Sequence, residues 1–360
     1  MDSFKDVGVS FAVNGRAYGQ MAQALHESNF DLDAFRPFRH TDGRTYVSVR
    51  NHHTGRKETR LVANNSTMMY EDWRTWDTML IEAYKERLGF VQTLLDLNLT
   101  KSVNAMTTMV ISHQRQTDIT TAEYSFDGLS KTDKDRPEYD TVNIPLPFFH
   151  KNFGFNMREL SIARANGTPL DTRTSKLAVR RVAELVEAVA LGNVSAIQYG
   201  SYGSVYGLRN HPSRSIKSMT LPTASGWTPQ TTYEEVLDMK NTARLNLCYG
   251  PYLLLISSNW EPYLDKDYSA AYPGVTLRQK LNAMGNITKV VQLDKLANYQ
   301  MILLQPTTET VRMIVGMQPK LIQWQSPDGG EANFQWITCM VPEFFTDIVG
   351  NCGIVHATAA

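Results

Sequence analysis

The chain has 360 residues, 42% of them apolar, enough for one large core or two to three smaller ones. Lys plus Arg and Asp plus Glu each number 36, so the formal net charge is zero, which disfavours a dedicated nucleic-acid binder with its characteristic basic excess. Three widely spaced cysteines (Cys248, Cys339, Cys352), no leader-like start and no uninterrupted apolar run of about 18 residues point to a reducing compartment and to no membrane span.

The first forty residues show no sustained period and read as an extended arm with one short helix near Ala22 to Ser28. Alternation at Val47 and Val49, a polar break at His53-Thr54-Gly55-Arg56 and a second run from Thr59 predict a hairpin over 46–62. From Glu71 to Leu97, Trp73, Trp76, Leu80, Tyr84, Leu88, Val91 and Leu95 recur at three- and four-residue steps, which predicts one long amphipathic helix. Trp73 and Trp76 on that stripe read as core residues.

Strands are expected over Met106 to Ser112 and Ile144 to Phe149. The polar interval between them is too poor in apolar side chains to hold a core of its own. It reads as a two-stranded arm that needs support from a neighbouring subunit. A second long helix follows Asp171-Thr172-Arg173-Thr174, spans Ser175 to Leu191 and stops at Gly192-Asn193. Ala178, Val182, Leu185, Val186 and Val189 form its apolar stripe, Arg180, Arg181, Glu184 and Glu187 lie off it, and Arg180 can pair with Glu184.

Beyond it lies a glycine and tyrosine loop, Tyr199 to Gly207, then a Pro- and Ser-rich stretch to Thr228. Thr231 and Thr232 are expected to cap a helix with Glu234 and Glu235 in its first turn. Tyr252 to Ser257 reads as a central strand, and Thr276 opens a short helix to about Met284. Three strands are expected over 311–317, 321–325 and 333–340, the last two joined through Pro327-Asp328-Gly329-Gly330. No period of 20–50 residues recurs, which argues against a solenoid or propeller.

The signatures of catalysis are mostly missing. No GxxxxGK[ST] loop, HExxH pair or paired CxxC occurs. The run Gly200 to Gly207 contains Ser201 and Ser204, but neither has the GxSxG spacing of a nucleophile elbow, and its GxxG tetrad lacks a flanking basic cluster. It reads as a tight loop whose tyrosines pack at a subunit contact. His52 and His53 point to opposite faces of an extended segment and make a poor chelate, and Asp265-Lys266-Asp267 lacks the glycine and distal glutamate of a calcium loop. No catalytic, cofactor-binding or metal-ligating residue is assigned.

An ordered set of short motifs carries a family resemblance. Ile144-Pro-Leu-Pro-Phe-Phe-His-Lys-Asn-Phe153 leads into Arg158-Glu-Leu160, Arg164-Ala-Asn-Gly-Thr-Pro-Leu-Asp-Thr172, Ala178-Val-Arg-Arg-Val-Ala-Glu184 and Leu191-Gly192. Gly250-Pro-Tyr-Leu-Leu254, Tyr272-Pro273 and the β-rich end from Val311 to Pro342 follow. The order resembles the encapsulin or linocin-like branch of the Hong Kong 97-type major capsid fold, over about Ala105 to Val341.

The resemblance implies an α+β architecture. Its parts are an N-terminal arm with hairpin and long helix (1–104), an extended loop (105–143), a peripheral domain with a spine helix (144–194 and 308–360) and an axial domain (195–307). It implies a non-enzymatic subunit that self-assembles into pentamers and hexamers of an icosahedral shell around double-stranded DNA. The shell would form in the host cytoplasm and reside in the virion, with portal, scaffolding and cement or decoration proteins as partners, no cofactor and no membrane. Some family members crosslink a loop lysine to an asparagine, for which Lys131, Lys134 and Asn351 are conceivable. The long start departs from the encapsulin pattern and favours a viral capsid over the same-fold alternative, a nanocompartment enclosing a cargo enzyme. A soluble enzyme with a site near Gly200 to Gly207 is the alternative from another class.

Overall fold

Alternating burial drives the first strands together. In Thr45–Arg50, Thr45, Val47 and Val49 face inward, and the strand pairs antiparallel with Lys57–Leu61 and with Phe38–Arg39, so the hairpin forms and gains a third strand. The computed structural model describes residues 36–50, 54, 56–62, 70–116, 124, 126, 138–156, 158, 162, 172–269, 272–325 and 331–359. The helix near Ala22 to Ser28, His52, His53, Lys131, Lys134 and the turn Pro327 to Gly330 lie outside them.

The helix expected over 71–97 is two helices, Tyr70–Lys85 (α1) and Phe90–Asp96 (α2). The stripe survives, with Trp73, Trp76, Leu80 and Tyr84 buried and both tryptophan rings against Phe334. The chain breaks because α2 turns its first amides onto a buried acid: Glu187 accepts from Phe90 N at 2.6 Å and from Val91 N at 3.1 Å.

Val110–Gln116 pairs antiparallel with Tyr139–Pro145 in a two-stranded ladder that begins the polar interval. The strand expected from Met106 starts at Val110 because Asn104 closes a turn, its side chain accepting from Met106 N and its carbonyl from Thr107 N and Thr108 N. The strand expected over 144–149 is instead a junction. One strand ends at Pro145, and another, Phe149–Asn156, leaves for a different sheet.

That sheet has four strands, in the order Thr100–Ser102, Val311–Gln325, Glu331–Phe344, Phe149–Asn156. The strands expected over 311–317 and 321–325 are one long strand, with register shifts between Val315 and Lys320 absorbing Gly316 and Pro319. Across it lies the helix Thr172–Leu191 (α3), which starts three residues ahead of Ser175 and ends at Gly192 with φ +76°. Its buried face differs from the predicted stripe, since Leu185 is exposed and Glu187 is buried.

The second core is built around a five-stranded mixed sheet in the order Ser215–Met219, Ile354–Ala359, Gln300–Leu304, Tyr252–Ser257, Ile287–Leu293. Tyr252–Ser257 is buried on both faces, as its apolar run predicts. Leu253, Leu255, Ile302 and Leu304 face the first core, while Leu254, Ile256, Met301 and Leu303 face the second. The helix Pro229–Leu245 (α4) lies on that second side and is capped by Thr228, not by Thr231 or Thr232. Pro229 at its first position draws the start forward, Thr232 is buried and accepts from Trp227 Nε1, and Glu234 and Glu235 fall beyond the first turn. Thr276 caps Leu277–Asn282 with a full capping box. The segment 308–360, expected to lie together, is divided, because its last strand joins the five-stranded sheet.

Candidate functional site

The glycine and tyrosine run folds as a tight hairpin, Ile197–Gln198 against Ser204–Val205, with Tyr199 and Tyr202 in ring contact at its exposed turn. Its glycines serve close approach. A Cβ on Gly203 would fall on the Asn143 carbonyl of the loop ladder, and one on Gly207 would fall on Gly192 N and Val189 O at the end of α3. Leu208 N and Arg209 N then donate to Ala190 O and Leu191 O, so this segment satisfies carbonyls left open by the end of the helix.

A cavity of about 400 Å³ lies between hairpin and ladder, lined by Arg115, Asn143, Ser201, Ser204, Tyr206 and His211 among others. It does not assemble a nucleophile and base. Among the described residues no hydrogen bond joins His211 to Ser201 or Ser204. Its Nδ1 accepts from Ser213 N at 3.3 Å, and its ring meets Tyr206 and Phe344 edge-on. Burial, with Arg214 and Arg115 nearby, pushes His211 down to about 4, so it is neutral at pH 7.

The remaining candidates scatter. Burial pushes the Cys339 and Cys352 thiols up to about 12 and raises Cys248, which removes their thiolate character. Among the described residues no group of three His, Cys, Asp or Glu side chains is placed to hold a metal ion. Asp265 pairs with Arg278 at 2.9 Å, and Lys266 lies over the Trp227 and Tyr263 rings. Asn351 donates to Asp347 at 2.7 Å. No helix among the described residues is long and apolar enough to cross a membrane.

What the structure does assemble is a fastening at the base of the ladder. Glu343, fully buried on the long hairpin, pairs through Oε1 with His113 Nδ1 at 2.9 Å and accepts at Oε2 from Arg312 Nε. Burial alone would raise this carboxyl, but the hydrogen bonds from His113 and Arg312 and their charges outweigh it and hold it below the usual carboxylate range. Arg115 adds a bond to Thr346 at 3.1 Å and pairs with Asp140 across the ladder. No sequence motif marks His113, Arg312 or Glu343, since His113 and Glu343 are 230 residues apart. One signal was present: Glu343 follows Val341-Pro342 and precedes Phe344 and Phe345, an acid inside an apolar run.

Beyond this fastening the ladder leads outward. Tyr124 and Phe126, in the interval it begins, are almost wholly exposed, and Leu177 and Leu185 present a second apolar stripe on α3 two turns apart.

A model described as a family of unknown function (DUF6260) matches residues 63–357. No curated protein matches. Among solved structures the chain is similar to the virus-like particle from Pyrococcus furiosus, at 16% identity and a TM-score of 0.53, over 80% of this chain and 99% of that one. It is similar to the capsid of Myoviridae phage XM1, at 11% and 0.56, over 74% and 92%. The capsid of a native GTA particle aligns at 9% and 0.52, over 73% and 89%. At such identities likeness establishes fold, and the fold is of the Hong Kong 97 capsid type.

Proposed function

The chain belongs to the family of unknown function DUF6260, whose matched span takes in the second core and all of the first but Phe38, and on the strength of its fold we propose that it is a structural shell subunit, a major capsid protein. The observation that carries this reading is the loop ladder, fastened at its base and leading to the exposed Tyr124 and Phe126. Exposed aromatic side chains beyond the described end of the ladder have no neighbouring core in the isolated chain, which supports their stabilisation by another copy. Leu177 and Leu185 on α3 are an apolar counterpart for it. In this reading the first core with α3 is the peripheral domain and the five-stranded sheet with α4 is the axial domain. The axial domain closes pentamers and hexamers, and the loop knits them into an icosahedral shell.

The shell would form in the host cytoplasm and enclose double-stranded DNA through non-specific contacts, and portal, scaffolding and decoration proteins would complete the virion. Zero net charge accords with a genome driven in by a motor rather than condensed by basic tails. A second reading, a compartment that encloses a cargo enzyme, draws support from the alignment that spans 99% of the virus-like particle chain.

The test is electron microscopy of the chain expressed alone and of a variant lacking residues 117–137. Closed shells or capsomer rings are expected from the full chain, and a folded protein without closed shells from the variant. Closed shells from the deletion variant would sink the loop assignment. A small discrete oligomer of the full chain, stabilised by a small-molecule substrate, would sink the shell reading. Copurified DNA separates the virion from a compartment holding a stoichiometric enzyme.

A further inference from the structure

The hairpin at 197–205 is absorbed by no catalytic role, yet it and the residues that follow touch both the loop ladder and the end of α3. At Gly203 its backbone lies on the Asn143 carbonyl of the loop ladder, and at Gly207 the following backbone lies on the last turn of α3, each at a distance that any side chain would violate. Val205, 2% exposed, seats the hairpin in the first core. The other ladder strand is held separately, through His113 to Glu343 and Arg312 on the long hairpin. Around these holds the connections are irregular: a turn at 105–109 enters the ladder and residues 146–148 leave it, with Leu146 N donating to Met109 O at 2.8 Å as the last rung. The cavity of about 400 Å³ beside Asn143 leaves room for the ladder to tilt.

We propose that the Gly203 to Gly207 segment is a wedge that fixes the attitude of the extended loop to α3, with Glu343 as the clasp on the opposite ladder strand. Gly203 and Gly207 are positioning residues in this arrangement. Contact through backbone is stiff, so a displacement at either end of the wedge is carried to the other rather than taken up by side-chain rotamers. The inference stands without the shell reading, because it concerns the unassembled chain.

The experiment is amide hydrogen exchange of the unassembled full chain, read over 110–116 and 139–145, with Tyr252–Ser257 as the internal reference. Gly203→Ala should speed exchange in the ladder by at least about tenfold and leave the reference strand protected. Val205→Ala, which unseats the hairpin without adding an atom, should do the same to a smaller degree, and it decides the matter if Gly203→Ala does not fold. Gly226→Ala is the control: at φ +86° it too is strained by a side chain, but nothing lies within 4 Å of an added Cβ, so the ladder should not respond. Unchanged ladder exchange in Val205→Ala and in folded Gly203→Ala would overturn the proposal. So would a loss of protection shared equally by Tyr252–Ser257, which would reveal general destabilisation instead of a wedge.

Discussion

Two regions of the first core are each closed by one buried glutamate, and the two glutamates behave in opposite ways. Glu187, 2% exposed on α3, faces only neutral donors, the backbone amides that open α2. Burial therefore wins, and its carboxyl is raised above the usual range despite those bonds. Glu343, 0% exposed under the loop ladder, faces His113 and the Arg312 guanidinium, and there the partners win and the carboxyl is lowered. Both side chains are shut off from solvent, but Glu187 is set deeper in protein than Glu343. Lesser depth and charged donors together lower Glu343, which makes the ladder fastening an ionic contact and the helix cap a polar one.

Truncation is the harshest way to break the comparison. Glu343→Ala leaves a guanidinium and an imidazole facing each other beneath the ladder, and the loss of one partner from such a site costs about 3–5 kcal/mol. Glu187→Ala leaves two buried amides without an acceptor but no unpaired charge, for a loss of about 2–3 kcal/mol. Urea unfolding of the full chain followed by tryptophan fluorescence checks both. A Glu187→Ala loss equal to or larger than that of Glu343→Ala would show that donor charge does not distinguish the sites.

The same contrast explains what was legible in the sequence. The second core is mostly local, from Ser215 to Leu304 with one returning strand, so the run Tyr252–Ser257 and the Thr276 cap could be read directly. The Hong Kong 97-type architecture was legible through the collinear motifs from Ile144 to Pro342, and the structure neighbours bear it out. The first core draws α1 and α2, α3 and the long hairpin from positions up to 256 residues apart, as in the bond from Tyr84 to Met340. Errors gathered there. The 71–97 stripe gave no sign of the break at α2, because the break is made by an acceptor 97 residues away. Glu187 lies across the helix from the stripe of Ala178, Val182 and Val189, and is buried all the same. Val179, Ala183, Glu187 and Ala190, at steps of four, four and three, mark a second buried face that small residues concealed. The candidate site was less legible still, since backbone approach at Gly203 and Gly207 is set by what lies opposite, not by local pattern.

The last and mildest probe leaves both side chains nearly intact and reads only the proton. Replacing either residue with glutamine keeps its shape and removes its titration, so the stability difference between wild type and variant, followed with pH, isolates each carboxyl. For Glu187 the folded-state pKa lies above the unfolded value near 4.5, so its contribution is complete below that value and declines as pH rises through the raised pKa. For Glu343 the folded-state pKa lies below 4.5, so its contribution is complete above that value and declines as pH falls through the lowered pKa. The two difference curves should therefore slope in opposite directions on either side of 4.5 in urea titrations across the acid range. Parallel slopes would mean that His113 and Arg312 do not compensate the burial of Glu343, and the ladder would then be held by packing against Phe345 rather than by charge.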